Sequence, residues 1–303
     1  MKAAVCEKYG APDVLTIREI EKPIPKDDEV LVKVFAAAVN ASDCIVRGYQ
    51  VTGIYRLLMG LALGFFKPKH PILGMAFAGE VEQAGKDVSY FQKGDRVFGF
   101  DRFAFGAYAA YKCISGQGLL AKLAPQVSFE DAAAVAFGGL FALYYLKKAQ
   151  VQRGQKVLIY GASGAIGSSA VQLAKYLGAD ITGVCSTANL NLVRSLGANR
   201  VIDYTKEDFT AGEVRYDLIF NAVGKKKIRL QCKNSLAKNG RHITVDDGSP
   251  AFHKEDIILL QELVAEGHSK PVIDRRYPLE QIVQAHSYVD EGHKKGNVII
   301  TMC

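Results

Sequence analysis

The stretch KVLIYGASGAIG, residues 156–167, runs from an apolar segment through a glycine-rich turn into the start of a second apolar segment. A turn of this kind between a strand and a helix is typical of dinucleotide binding. Small residues at positions 162 and 164 let the backbone approach a pyrophosphate, and Gly167 lets the helix pack closely on its strand. The free N–H groups at the helix start then face the phosphates.

A second interpretation of the same turn is a nucleophile elbow, in which Ser163 stands on a sharp strand-to-helix turn. The pattern G-x-S-x-G needs a second glycine where this chain has Ala165, and no His-Gly-Gly stretch precedes it. A hydrolase therefore remains only as an alternative to a dinucleotide-binding protein.

Strand and helix patterns alternate on both sides of the turn. Helices are predicted over residues 165–177 and 189–196 because each amphipathic run ends at a glycine. The near-continuous apolar runs VLIY and DLIF predict strands covered on both faces, which is typical of a doubly wound parallel sheet. Five core strands are predicted, over residues 156–160, 181–185, 200–203, 217–221 and 241–245.

The chain before this sheet has a different pattern of short β-runs separated by glycine and proline. Many short strands predict a barrel-like β domain. A helix over residues 129–149 follows, capped by Ser128 with Asp131 three residues on. A tail of alternating helices and strands after Pro250 is predicted to return to the β domain. The predicted domains are residues 1–122 with 252–303, and residues 123–251. The β-runs span residues 2–6, 14–20, 29–38, 79–83, 95–99 and 108–114.

Composition narrows the class of protein. The 303 residues are 49% hydrophobic and 23% charged, which excludes intrinsic disorder, and the net charge of +7 favours anionic ligands. Six cysteines without a C-x-x-C pair indicate free thiols in a reducing compartment. The N-terminus lacks the pattern of a secretory signal, so we predict a cytoplasmic protein.

The residues that follow the second strand of the sheet select the dinucleotide. This turn reads CSTAN, residues 185–189, without the carboxylate that would bind a ribose 2′-hydroxyl. Ser186, Thr187 and Asn189 can donate hydrogen bonds to a 2′-phosphate, which favours NADP over NAD. The alternative is a polar turn with no ligand.

Several spaced motifs together resemble the zinc-free quinone oxidoreductase branch of the medium-chain dehydrogenase/reductase family. The resemblance implies a GroES-like β-barrel catalytic domain, a Rossmann domain, and NADPH in the cleft between them. It also implies hydride transfer to a quinone or an α,β-unsaturated carbonyl compound. Besides the glycine turn and CSTAN, the matching stretches are AAVNASDCIVRG (37–48), HPILGMAFAGEV (70–81), FQKGDRVFG (91–99), VIDY (201–204) and GHKKGNVII (292–300).

The same resemblance implies roles for individual residues. Asn40 and Asp43 would stand beside the nicotinamide as catalytic residues, although side chains of this type also hold loops by Asx hydrogen bonds. Apart from the resemblance, Tyr49, Tyr55 or solvent are candidates for the proton source. Phe100 is a candidate lining residue of the substrate pocket, with core packing as the usual alternative, and Phe141 would narrow the pocket near the nicotinamide. The implied cofactor contacts are Ser163, Gly164, Ala165 and Ile166 at the pyrophosphate, Ser186, Asn189 and Tyr204 at the 2′-phosphate, Val223 beside the cofactor and Asn297 closing over it.

Departures from the family pattern carry further expectations. Asn40 stands where zinc-dependent relatives have cysteine, and Met75-Ala76 where they have His-Glu, so we expect no zinc. Phe141 replaces a threonine, which motivates the alternative of a non-catalytic NADPH-binding or interaction protein. The short connection between Val245 and Lys254 lacks the elements that pair two sheets in many relatives. It puts the familiar homodimer in doubt.

Two remaining segments have open interpretations. Residues 57–66, an apolar run flanked by Arg56 and Lys67, fit a lid over an apolar substrate, a buried helix, or, with only thin basic flanks, a membrane-surface segment. Residues 225–227 and Arg229 form a basic cluster without aromatic partners, so nucleic-acid binding is not favoured. The six histidines show no paired spacing that would indicate a metal site.

Overall fold

A computed structural model describes residues 1–51, 53–224 and 232–302, without the side chains of residues 54, 55 and 233. The chain divides into two compact units, Met1–Phe137 with Ile273–Cys303, and Gly138–Val272. Both boundaries lie later in the chain than predicted. The second lies later because the helix over Lys254–Ala265 is tied to the second unit, where Lys147 Nζ lies 2.6 Å from Asp256 Oδ1.

The first unit is built mainly of antiparallel strands. One sheet has the strand order β13-β14-β3-β4-β5-β7, with β6 also paired to β3, and β1 pairs with β2 in a second sheet. Its elements, up to the helix that leads into the second unit, are β1 (Lys2–Cys6), β2 (Leu15–Glu19), β3 (Glu29–Val39), α1 (Ala41–Gly48), α2 (Ile54–Leu63), β4 (Ala76–Ala84), β5 (Arg96–Phe100), β6 (Tyr111–Ser115), β7 (Leu120–Lys122) and α3 (Phe129–Ala149).

The second unit contains the predicted parallel sheet. Its five strands have the order β10-β9-β8-β11-β12, and every neighbouring pair is parallel. The first strand of the motif, β8, lies at the centre and is buried on both faces, as the VLIY run predicts. The elements are β8 (Lys156–Tyr160), α4 (Ala165–Tyr176), β9 (Asp180–Cys185), α5 (Leu190–Ser195), β10 (Arg200–Asp203), β11 (Tyr216–Asn221), β12 (Leu236–Thr244) and α6 (Lys254–Ala265).

The tail then completes the first unit. Strand β14 (Asn297–Thr301) pairs antiparallel with β3 and parallel with β13 (Ile273–Pro278). Helix α7 (Ile282–Asp290) connects β13 to β14. The tail therefore returns to the β domain from Ile273 onward, whereas the part from 252 to 272, which was predicted to return with it, lies in the second unit. The basic cluster at 225–227 and 229 lies outside the described residues.

The predictions differ from the structure most in the region after β3. Helix α1 was not predicted, because its eight residues follow a strand directly and begin at a cap of Asn40. Residues 57–66 contain much of α2, but Leu57, Leu58 and Leu61 are 50%, 54% and 60% exposed. The interpretation of this segment as a buried helix is therefore wrong.

Helix α3 matches its predicted bounds. Ser128 Oγ accepts a hydrogen bond from Asp131 N at 3.0 Å, which confirms the predicted cap. Among the described residues, α3 is the one helix long and apolar enough to cross a membrane, and 72% of its most apolar window is buried inside the protein. That degree of burial is typical of a core helix, and so α3 is weak evidence for a membrane span.

Candidate active site

The glycine turn is held against the end of β9. Gly161 N and Ala162 N both donate to Val184 O at 3.0 Å, and Gly161 has φ +78°, a conformation that side chains other than glycine rarely adopt. A Cβ added at Gly167 would lie 2.0 Å from Gly161 O, so close helix–strand packing requires glycine there. At Gly164 the nearest atom would be 3.6 Å away, and that position is open.

The first turn of α4 presents free backbone amides. Ser168 N donates to Gly164 O at 2.8 Å, which is the first bond of the helix, so the amides of Ala165, Ile166 and Gly167 have no intrahelical acceptor. No side chain caps Gly164, the N-cap residue. Such a helix start attracts anionic groups through its N–H groups and dipole.

Asn189 connects the glycine turn with the turn after β9. Its Nδ2 donates to Ser163 Oγ and Ser186 Oγ, both at 3.2 Å, and the residue is 8% exposed. Each hydroxyl accepts from the amide and keeps its own proton to donate elsewhere. Asn189 therefore orients two serines, whereas the sequence interpretation made it a direct donor to a phosphate. Its amide donors are already committed, which corrects that interpretation.

Thr187 is turned toward the next strand. Its hydroxyl donates to Asp203 Oδ2, and Thr205 N and Thr205 Oγ1 donate to Asp203 Oδ1 at 3.0 and 2.7 Å. These hydrogen bonds lower the pKa of Asp203 and keep its carboxyl group ionised, and the bond from Thr187 has the largest effect. The proton of the Thr187 hydroxyl is therefore committed to the Asp203 carboxylate at the end of β10. The sequence signal for it was the aspartate of VIDY.

Tyr204 and Val223 lie at the rim of the same edge of the sheet. Tyr204 is 50% exposed, its N donates to Cys185 O at 3.1 Å, and its ring centroid is 6.2 Å from that of Tyr160. Val223 is 45% exposed, and a Cβ added at Gly161 would meet its Cγ2 at 2.5 Å. The structure therefore brings the predicted cofactor contacts of the second unit to one edge of the sheet, where β8 and β9 end.

In the first unit, Asn40 and Asp43 form a reciprocal cap on α1. Asn40 Oδ1 accepts from Ser42 N at 2.9 Å and Asp43 N at 3.3 Å, and Asp43 Oδ2 accepts from Asn40 N at 3.0 Å. The pair is buried, at 1% and 0% exposure. The Asx interpretation thus describes their contacts, but within the described part of the chain Asn40 Nδ2 has no hydrogen-bond partner. The carboxyl group of Asp43 also interacts with the Tyr108 hydroxyl, which lowers the pKa of Asp43. Burial raises the pKa of Asp43 to about 7, against the lowering effect of its hydrogen bonds to Asn40.

A buried cluster behind α1 was not found from the sequence. Arg47 is 1% exposed and donates to Gly10 O at 3.2 Å, His286 Nδ1 at 3.2 Å and Asp290 Oδ2 at 2.6 Å. Because arginine only donates, His286 Nδ1 is the acceptor, and the imidazole proton is on Nε2. Burial, and then Arg47, lower the pKa of His286 to about 3. The cluster fastens α1 to α7, and only the tertiary structure brings its members together.

The predicted pocket residues have other partners. Tyr49 is buried, caps the C-terminal end of α1 and donates its hydroxyl to Arg56 O at 2.9 Å, so that proton is committed. Phe100 is 2% exposed, with its ring centroid 6.1 Å from that of Phe137, so its surroundings are those of the core-packing alternative and not of a pocket wall. Phe141 lies 5.0 Å from Phe252, ring centroid to ring centroid. The side chain of Tyr55 lies outside the described part.

Asn297 begins β14 and is 3% exposed in the first unit. Its implied position over the cofactor remains a prediction.

The residues at the zinc positions of related enzymes do not fit a zinc ion. Met75 and Ala76 are buried apolar residues, at 4% and 0% exposure, and Asn40 Oδ1 is occupied by two backbone amides. Zinc sites in proteins use cysteine, histidine or carboxylate ligands. Among residues 1–51, 53–224 and 232–302, no three His, Cys, Asp or Glu residues are grouped as a metal site.

Known families and proteins match this chain over almost its whole length. Residues 26–152 match the alcohol dehydrogenase GroES-like domain, and residues 165–268 and 250–300 match two zinc-binding dehydrogenase domains. A 2-methylene-furan-3-one reductase from Solanum lycopersicum is 30% identical over 99% of this chain and 79% of its own. An NADPH-dependent alkenal/one oxidoreductase, chloroplastic, from Arabidopsis thaliana has the same identity and the same two coverages.

A solved structure agrees with these sequence matches. The quinone oxidoreductase from Coxiella burnetii is 28% identical, with a TM-score of 0.88 over 99% of both chains. The chain therefore belongs to the quinone oxidoreductase-like branch of the medium-chain dehydrogenase/reductase family, and it is an oxidoreductase.

Proposed function

We propose that this protein is a zinc-independent, NADPH-dependent oxidoreductase that reduces a quinone or an α,β-unsaturated carbonyl compound by direct hydride transfer. The observation that carries the proposal is the link made by Asn189 between the glycine turn and the turn after β9. That link orients two serine hydroxyls beside the free amides of α4. A relative named as an NADPH-dependent alkenal/one oxidoreductase and another named as a 2-methylene-furan-3-one reductase support the same chemistry.

The residues of the second unit fit a dinucleotide phosphate. The amides of Ala165 and Ile166 would hold the pyrophosphate, and Ser163 and Ser186 would donate to phosphate oxygens. Gly164 leaves room for the approach, since a Cβ there would meet no atom nearer than 3.6 Å. When bound, NADPH supplies the hydride equivalent that reduces the acceptor.

In the first unit we assign Asn40 the role of stabilising the reduced acceptor. Its Nδ2 is the donor of the capping pair without a partner among the described residues. Reduction of an enone or quinone produces an oxyanion, and a donor preorganised toward it lowers the barrier. Asp43 holds Asn40 in place through the reciprocal cap and acts as a positioning residue.

Asn40, Met75 and Ala76, at the positions of the zinc ligands in zinc-dependent enzymes, agree with this acceptor class. A conjugated acceptor delocalises the arriving charge over an enolate or quinol anion, which hydrogen bonds can stabilise. Simple alcohol oxidation depends more strongly on a Lewis acid. We place the enzyme in the cytoplasm, a proposal supported by the five free cysteines of the described residues.

The test combines binding and turnover. We expect calorimetry to show NADPH binding, and absorbance at the NADPH band to fall in the presence of enals, enones and quinones. Asn40→Ser keeps a side-chain acceptor at the N-cap but removes Nδ2, so it should lower kcat about 100-fold or more while preserving the fold. Failure to bind either nicotinamide nucleotide would overturn the proposal.

A second candidate is a non-catalytic NADPH-binding or interaction protein. It is favoured by the burial of Asn40 and Asp43, which are 1% and 0% exposed. The side chain of each residue accepts a hydrogen bond from the backbone N–H of the other. This candidate predicts cofactor binding without turnover of any acceptor, and no kinetic effect of Asn40→Ser. Turnover of even one acceptor that depends on Asn40 would exclude it.

A further inference from the structure

The first unit carries an exposed apolar surface on α2 and the turn after it. Leu57, Leu58, Leu61 and Phe65 are 50%, 54%, 60% and 45% exposed, and Phe66 is 94% exposed. We call these five residues the α2 apolar face. Single exposed apolar residues are normal on a protein surface, whereas a contiguous group of large ones marks an interaction site.

The face is contiguous because the helix and the turn contact each other. Leu57, Leu58 and Leu61 share one side of α2 through their i, i+1 and i+4 spacing. A Cβ added at Gly60 would lie 2.3 Å from the Phe65 ring, so this ring folds back onto the helix. The surface continues into a groove of about 790 Å³, which Phe65 and Phe66 help to line.

Polar contacts on the inner side hold this orientation. Tyr9 Oη shares its one proton between Leu63 O at 3.0 Å and Gly64 O at 2.9 Å, and Tyr49 Oη donates to Arg56 O at 2.9 Å. The rings of Tyr9 and Tyr49 stack with their centroids 4.6 Å apart. Because these contacts use backbone carbonyls of α2, they fasten the helix to the first unit without covering its leucines.

The charged residues of α2 and the turn after it are cationic. No aspartate or glutamate occurs between residues 44 and 79, and Arg56, Lys67 and Lys69 are exposed at the two ends of the face. Glu7 lines the groove, but its carboxylate is paired with Arg18 at 2.9 Å. Apolar side chains bordered by cations match the interface of a bilayer that contains anionic lipids.

We propose that the α2 apolar face docks peripherally on an anionic lipid bilayer. The leucines and phenylalanines would enter the boundary between headgroups and acyl chains, while Arg56, Lys67 and Lys69 would contact lipid phosphates. From the sequence alone, only Arg56 and Lys67 flank the apolar run directly, since Lys69 is separated from it by Pro68. The folded turn brings Lys69 back to α2, where its Nζ donates to Leu61 O at 2.6 Å. Docking is independent of the proposed function, because it requires neither NADPH nor turnover.

Vesicle flotation of the full-length protein tests this docking. We expect binding to vesicles of phosphatidylcholine with 30% phosphatidylglycerol to exceed binding to phosphatidylcholine alone at least 10-fold at low salt. Binding should fall in 0.5 M NaCl, because headgroup attraction is screened. Leu58→Ser with Leu61→Ser should lower the bound fraction at least 10-fold. Ile24→Ser changes an 84% exposed apolar residue outside the face and should leave binding unchanged.

Circular dichroism and the melting temperature provide the folding control for the two serine variants. Equal flotation of wild type and Leu58→Ser/Leu61→Ser, or no flotation of the wild type, would overturn the proposal. Sedimentation velocity tests whether a second copy of the chain occupies the face instead. A dimer of the wild type that is lost in Leu58→Ser/Leu61→Ser, together with no vesicle binding, would assign the face to dimerisation and overturn lipid docking. Unchanged NADPH oxidation by a non-floating variant would leave the proposed function intact.

Discussion

Gly164 and Gly167 lie one helical turn apart at the head of α4, but their surroundings predict opposite consequences of adding a methyl group. At Gly167 the new Cβ would lie 2.0 Å from Gly161 O and 2.8 Å from Gly161 C, both backbone atoms that cannot rotate away. At Gly164 the nearest atom is 3.6 Å away, and the residue has φ −78° and ψ 177°, which alanine adopts freely.

The expected magnitudes follow from these distances. Because backbone must move, overpacking by Gly167→Ala should cost about 3 kcal/mol, against which alanine contributes about 1 kcal/mol of helix propensity. The net loss of about 2 kcal/mol corresponds to a fall in melting temperature of roughly 4–8 °C. For Gly164→Ala, the poorer N-cap and the reduced entropy of the unfolded chain offset each other to within about 0.5 kcal/mol.

Gly164→Ala should weaken NADPH binding even though it leaves the stability of the protein almost unchanged. The variant keeps its melting temperature, but its methyl group occupies the space where the proposed pyrophosphate approaches the amides. We expect NADPH to bind at least 10-fold more weakly, by calorimetry at constant temperature and salt. An unchanged affinity in folded Gly164→Ala would refute the placement of the phosphates. An unchanged melting temperature in Gly167→Ala would refute the packing argument.

Three further predictions address the two units separately. Asn189→Asp replaces a hydrogen-bond donor with a carboxylate that accepts the protons of Ser163 and Ser186, so the affinity for NADPH should fall at least 10-fold. The affinity for NADH should fall less, because NADH lacks the 2′-phosphate. Equal losses for both nucleotides would contradict the 2′-phosphate assignment. Arg47→Met leaves His286 Nδ1 and the 30% exposed Asp290 without their hydrogen-bond donor. The free energy of unfolding, measured by urea denaturation, should fall by about 2–3 kcal/mol. A loss below about 0.5 kcal/mol would show that the cluster does not stabilise the packing of α1 on α7. Burial raises the pKa of Asp43 from 3.8 to about 7, so its contribution to stability is complete below pH 4 and is lost as the pH rises to about 7. The stability of wild type relative to Asp43→Asn should therefore decline across that window, by at most about 1.4 kcal/mol per pH unit, and a flat difference would contradict the raised pKa.

The periodic parts of the fold were predictable because their signals are local. The VLIY and DLIF runs, the glycine that ends each helix and the Ser128 cap each act within a few residues. They locate β8, β11 and α3 to within one residue. Helix α1 was missed because its start signal, the Asn40–Asp43 pair, is equally compatible with a loop. Its single short amphipathic stretch gives little periodicity to read.

The candidate site was predictable as a set of positions, but not as a set of contacts. The glycine turn, Ser186 and Asn189 lie at one edge of the sheet, as expected where neighbouring parallel strands end together, and their role in cofactor binding stays a prediction. That Asn189 donates to two serines, and that Thr187 turns to Asp203, depends on side-chain directions across three strands. Such directions have no sequence period.

The amino-acid sequence by itself determined the two architectures, the glycine turn and the residue types at positions 40, 75 and 76, because backbone geometry and ligand chemistry depend on which residues stand where. Only the tertiary structure decided which groups are buried and which polar atoms pair. Arg47 meets His286 across 239 positions of the chain, and the leucines of α2 remain exposed because polar contacts hold the opposite side. Burial and long-range pairing are properties of the packed chain as a whole, and these set the pKa of Asp43, the fastening of α1 and the apolar face of α2.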